Sequence, residues 1–140
     1  IPHDEEDHAR IRRHLTERDG WGFTTLECGK NLLSLLDDPQ VDPSGAFLVD
    51  SVTALLSNEM FDERGGFDPD AAKRIREDLT EFAAKTGSTV FVSDYIYSDA
   101  CEYSETVEAY RQGLATADRA LASVCERVIE ISGGMEEIWK

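Results

Sequence analysis

Residues 46–50 read Ala46-Phe47-Leu48-Val49-Asp50, four apolar residues in a row that close on a carboxylate. A second run of the same kind, Thr89-Val90-Phe91-Val92-Ser93, is followed at once by Asp94. Both are strand-length and apolar on successive positions rather than alternate ones, which reads as buried strand. Between them the period changes. Residues 51–60 (SVTALLSNEM) are helical, and a second helix opens at Asp68-Pro69, aspartate as cap and proline in the first turn. Its apolar members Ala72, Ile75, Leu79, Phe82 and Ala83 keep the 3.6-residue period to about Thr86, and Gly87 ends it. Strands joined through helices specify an α/β domain with a mostly parallel sheet flanked by helices.

The pattern extends in both directions. Upstream, Asp4 caps a helix over residues 5–18 with Ala9, Ile11 and Leu15 inward, Gly20 and Gly22 break it, and Phe23-Thr24-Thr25-Leu26-Glu27 reads as a short strand. Residues 30–38 form a short helix stopped by Pro39. Downstream, residues 94–103 are a polar-aromatic loop. Ser104 caps a long helix to about Cys125, with Val107, Tyr110, Leu114, Ala117, Leu121 and Val124 inward. Val128-Ile129-Glu130-Ile131 is a last strand, set off from the tail by Gly133-Gly134. All 140 residues fit one domain, and the opening helix makes its first strand–helix unit incomplete.

Composition narrows the function. The chain has 29 acidic and 14 basic residues, a net charge of −15, so its surface repels phosphodiester backbones and anionic lipid. Nucleic acid is excluded as a partner, and any phosphate ligand needs a local basic cluster. No apolar run approaches the ~20 residues of a membrane span. The cysteines Cys28, Cys101 and Cys125 are widely spaced and unpaired in pattern, which fits free thiols in the cytoplasm.

Ligands of open α/β sheets bind beyond the carboxyl ends of the strands. Asp50 stands there, suited to hold a magnesium ion or to cap the next helix, and Ser93-Asp94 close the neighbouring strand at the same edge. His14 has Arg10 and Arg18 four residues to either side and Arg13 beside it. Arginines at those spacings attract phosphate and keep an imidazole neutral, hence nucleophilic toward phosphorus; a solvated basic helix gives the same spacing. His3 and His8 lie in an acidic segment and read as surface residues. GxxxxGK[ST], GxSxG and HExxH are all absent from these residues.

In this order the pieces resemble the bifunctional adenosylcobinamide kinase / adenosylcobinamide-phosphate guanylyltransferase family of cobalamin biosynthesis. Its RIxxHxxxR segment is similar to Arg10-Ile11-Arg12-Arg13-His14-Leu15-Thr16-Glu17-Arg18, and its aromatic-T-x-E to Phe23-Thr24-Thr25-Leu26-Glu27. The block DxxTxxxxN is matched by Asp50, Thr53 and Asn58, F-R-D by Tyr110-Arg111-Gln112, and the closing S-G-x by Ile131-Ser132-Gly133. Where the family carries Asn-Glu and a V-G-x-G-I-V-P loop, this chain has Asp94-Tyr95-Ile96-Tyr97-Ser98-Asp99. Where it carries Asn-Gln, this chain has Asp118-Arg119.

The resemblance implies a P-loop, RecA-like fold whose first strand and phosphate loop belong upstream of Ile1. It implies that His14 is the guanylylated catalytic residue. Leu15, Thr16, Glu17, Arg18, Glu27 and Asp50 align with nucleotide-binding positions, with Asp50 on Mg2+. GTP, ATP and adenosylcobinamide are the implied ligands, and a homotrimer the implied assembly. A scaffold that binds nucleotide or corrinoid without turnover is the second reading.

Overall fold

The structure, a computed structural model, describes residues 16, 20, 22–62 and 64–140. Strand β1 (Ala46–Asp50) pairs with β2 (Ser88–Val92) in parallel, Ala46 facing Ser88 and Asp50 facing Val92. Helices α1 (Val52–Met60) and α2 (Ala71–Lys85) make the crossover, and α3 (Glu105–Val124) follows β2. The strand–helix–strand reading of residues 46–93 therefore holds.

One face of this sheet carries the core. Phe47, Val49 and Phe91 lean onto a cluster that includes Leu55, Leu56, Met60, Ile75, Leu79, Phe82, Leu114 and Leu121, contributed by all three helices. Phe82 meets Phe47 edge-on, ring centroids 5.4 Å apart. The opposite face stays open: Leu48 is 45% and Val90 59% exposed. The strands thus alternate in burial although their sequences do not, because α1, α2 and α3 all pack on the same side. Helix α3 approaches closely at Gly113, where a Cβ would stand 2.9 Å from the Ala72 methyl and 3.4 Å from Leu56.

Four details differ from the sequence reading. Residues 22–28 take no regular structure, and Phe23 and Leu26 are exposed. The helix expected over 30–38 is a 3-10 turn, Leu32–Asp37, entered through Asn31 at φ 53°. Asparagine tolerates that left-handed conformation but offers no side-chain cap here. Helix α2 begins two residues late: Asp68 spends its carboxylate on the Asp70 amide and on Arg74 instead of capping a helix that opens at Pro69.

The fourth difference concerns the last strand. β3 (Ile129–Ser132) pairs antiparallel with β4 (Met135–Ile138) and forms a separate two-stranded sheet. Gly133 and Gly134 lie at φ 59° and 77°, the positive values a two-residue hairpin turn needs. The described strands are therefore half parallel and half antiparallel, rather than mostly parallel. Lys140 seals the base of α3, its ammonium donating to the carbonyls of Ala122 and Ser123. The three cysteines are free thiols. Among the described residues no helix is long and apolar enough to cross a membrane. The helix expected over residues 5–18 lies outside the described residues apart from Thr16, which is helical.

Candidate active site at the carboxyl edge of the sheet

Asp50 is the last residue of β1, and the parallel register sets it beside Val92, so that Ser93 and Asp94 continue at the same edge. Helix α1 starts immediately: Ser51 caps it, its hydroxyl accepting from the Ala54 amide at 3.2 Å. Thr53, in the first turn, ties three elements together. Its hydroxyl accepts from the Asp94 amide at 2.9 Å, and its carbonyl accepts from the Tyr110 hydroxyl of α3 at 2.9 Å. The edge predicted to gather Asp50 and Ser93-Asp94 is thus a built surface, cross-braced by α1 and α3.

Above it runs the 94–103 loop. Arg111 of α3 is 6% exposed, the one charged side chain in the buried set of the described residues. Each of its three guanidinium nitrogens has a partner. Nε donates to the Ile96 carbonyl at 3.1 Å, one terminal nitrogen to Glu108 at 2.8 Å, and the other to Asp99 at 3.2 Å. The Tyr103 ring lies 4.5 Å from the guanidinium carbon, and its hydroxyl donates to the second oxygen of Asp99 at 3.0 Å. A buried arginine needs such partners, since an unpaired one would be strongly destabilising. The Cys101 amide, with Tyr103 and Arg111, holds the Asp99 carboxyl below its ordinary value.

Two turns along α3, Asp118 grips the same loop. It accepts from the Tyr97 hydroxyl at 2.9 Å, with the Ser93 hydroxyl nearby. Burial pushes the Asp118 carboxyl up, the two hydroxyls oppose that, and the negative charge of Asp94 adds to it. Burial and the Asp118 charge push the Tyr97 phenol up in turn. At neutral pH the phenol therefore keeps its proton and donates it to an oxygen of Asp118.

The sequence-predicted residues divide. Asp50, with its neighbours Ser93 and Asp94, lies at the edge. Thr16 is helical and exposed, and Glu27 is exposed in the irregular 22–28 segment. That segment leads to Asn31, whose amide donates to Glu59 at 2.7 Å, in the last turn of α1 rather than its first. His14, Leu15, Glu17 and Arg18 lie outside the described residues.

Among the described residues no three His, Cys, Asp or Glu side chains converge as a metal cluster. The donors at the edge are oxygens, from Asp50 and from Asp94, Ser51 and Ser93. Such a set suits Mg2+, which usually takes one or two protein carboxylates and completes its shell with water and substrate phosphates. The residues present therefore fit that ion.

Sequence reasoning passed over Arg111, Tyr97 and Asp118 as a group. A signal existed: Arg111 falls between Val107 and Leu114 on the inward stripe of its helix. A charge on that stripe must find buried partners.

No curated protein matches the chain significantly. The family model described as cobinamide kinase / cobinamide phosphate guanyltransferase matches residues 1–137, nearly the whole chain. The chain belongs to the cobinamide kinase / cobinamide phosphate guanyltransferase family.

Proposed function

We propose that this chain is the catalytic domain of an adenosylcobinamide kinase / adenosylcobinamide-phosphate guanylyltransferase of P-loop, RecA-like type, working in the cytoplasm as a trimer. The observation that carries the reading is the family match across residues 1–137. The cross-braced edge at Asp50 and Asp94 supports it, because nucleotides bind α/β sheets there.

The chemistry has two transfers. In the kinase stage a phosphoryl group passes from a nucleoside triphosphate to the hydroxyl of the aminopropanol arm. In the guanylyl stage the neutral imidazole of His14 attacks the α-phosphorus of GTP. A nitrogen–phosphorus bond forms, the bond to the bridging oxygen breaks, and pyrophosphate leaves. A phosphate oxygen of adenosylcobinamide phosphate then attacks the same phosphorus and restores the imidazole. Arg10 and Arg18, four residues either side of His14 in sequence, neutralise the phosphate and favour the uncharged ring. Leu15, Thr16, Glu17, Arg18 and Glu27 contact the nucleotide, and Asp50 orients the phosphates. Mg2+, when bound at Asp50, supplies charge neutralisation for the departing pyrophosphate.

One observation favours a second reading. Tyr97 and Asp118 pair with each other at positions where the family carries other residues. A relative that binds nucleotide or corrinoid without turnover would tolerate such a change. Full-length protein given GTP and adenosylcobinamide phosphate decides between them. The proposal expects equal amounts of pyrophosphate and of GDP-linked cobinamide; binding with neither product would establish the second reading.

A further inference from the structure

Asp50 is exposed at the last position of β1, and the chain enters α1 directly after it. The place of its carboxylate therefore depends on how firmly the first turn of α1 is held. That turn is fixed at three points. Val52 is buried in the core at 0% exposure. The Thr53 hydroxyl accepts from the Asp94 amide at 2.9 Å, and the Thr53 carbonyl accepts from the half-buried Tyr110 hydroxyl at 2.9 Å. The ladder between β1 and β2 ends at Asp50 and Val92, so the Thr53–Asp94 bond is a link beyond it, between the chains that leave the two strands. Burial first, and then the charge of Asp94, push the Tyr110 phenol up, so it keeps its proton and stays a donor.

We infer that Thr53 is a positioning residue: the bonds from Asp94 to its hydroxyl and from Tyr110 to its carbonyl hold the first turn of α1, and through that turn set the Asp50 carboxylate where it meets the phosphates of a nucleoside triphosphate. The inference rests on the proposed reading of Asp50 as a nucleotide-binding residue. Thr53 touches no substrate, and its effect passes through Asp50. A carboxylate held in place before the ligand arrives loses less freedom on binding, so loosening the turn weakens the triphosphate complex. Thr53 therefore contributes to that complex only while residue 50 carries its carboxylate. A residue that merely stabilised the fold would contribute the same whichever side chain stood at 50.

The experiment is a double-mutant cycle on full-length protein, read by calorimetric titration with GTP in the presence of Mg2+ and by hydrogen exchange of the Asp94 amide. Thr53→Val replaces the hydroxyl by a methyl, Thr53→Ser keeps it, and Tyr110→Phe removes the donor to the carbonyl. Thr53→Val should speed exchange of the Asp94 amide by at least ~5-fold. It should weaken GTP binding by about 5- to 10-fold, the scale of one neutral hydrogen bond. Thr53→Ser should restore both, and Tyr110→Phe should weaken binding in the same direction. Asp50→Asn should weaken GTP binding by itself, and adding Thr53→Val to it should change the affinity by less than about twofold. If Thr53→Val does not fold, Tyr110→Phe carries the same cycle with Asp50→Asn.

Asp94 exchange equal to wild type in Thr53→Val would overturn the brace. Wild-type GTP affinity in Thr53→Val, or the same fold-loss whether residue 50 is Asp or Asn, would overturn the positioning role and leave the nucleotide-binding reading in place. Wild-type protein that binds no GTP, or Asp50→Asn that binds it undiminished, would overturn the reading of Asp50 and this inference with it.

Discussion

Helix α3, which presents Arg111 and Asp118 to the loop, lies close against α2 at Gly113. In Gly113→Ala the new methyl would stand 2.9 Å from the Ala72 Cβ. Ordinary carbon–carbon contact is about 3.5–4.0 Å, so the overlap is roughly 0.6 Å or more. Neither methyl can rotate away, and Leu56 at 3.4 Å closes a second direction, so the helices must separate. Overpacking of this kind costs about 1–3 kcal/mol. Alanine in a helix interior returns up to about 1 kcal/mol of backbone propensity. The net expectation is a loss of about 1 kcal/mol, read as a drop of about 3–5 °C in the melting midpoint for a chain of this size. The companion variant Ala72→Gly, combined with Gly113→Ala, relieves the overlap. The double-mutant cycle should therefore show a favourable coupling of about 1 kcal/mol or more in urea unfolding. A Gly113→Ala protein as stable as wild type, with strictly additive effects in the double variant, would refute the close approach.

Two further outcomes test the core and the edge. Phe82→Ala empties the contact with Phe47 and should cost about 3–5 kcal/mol in urea unfolding; a loss below about 1.5 kcal/mol would contradict the packing described. The Asp118 carboxyl is held above its ordinary 3.8, so between that value and its folded one the folded state keeps a proton the unfolded chain has released. Its contribution to stability is full below the window and lost as pH rises through it. Wild type should lose ground to Asp118→Asn as pH rises from below 3.8, and a gap independent of pH across that rise would be the contrary result.

The strand–helix–strand centre was legible because strong local signals agreed with their tertiary setting. Two apolar runs, a capping serine at Ser104 and a 3.6-residue stripe placed β1, β2, α1 and α3 to within a residue or so, although Ser51 rather than Asp50 caps α1. Where local signals competed, tertiary partners decided. Asp68-Pro69 is a good helix opening in isolation, but Arg74 and the Asp70 amide take the carboxylate. Phe23-Thr24-Thr25-Leu26-Glu27 has strand propensity, yet residues 22–28 take no regular structure, and propensity alone does not make a ladder. Gly133-Gly134 carried its own hairpin signal, and weighing it as a turn would have recovered β4. At the site, Asp50 and Asp94 were legible because a parallel register puts strand ends at one edge. The Tyr97–Asp118 and Arg111–Asp99 pairs were not. They join a loop without periodicity to a helix face, and no spacing rule links residues so far apart in sequence.

Full-length protein incubated with Mg2+ and GTP labelled at the α-phosphate reports most directly on the guanylyl transfer. The account predicts a covalent label that is lost in acid, survives alkali, and passes to adenosylcobinamide phosphate when that acceptor is added. In His14→Asn the label should be absent while the unfolding transition stays close to that of wild type. Undiminished labelling of His14→Asn, or wild-type protein that never takes up the label, would contradict it.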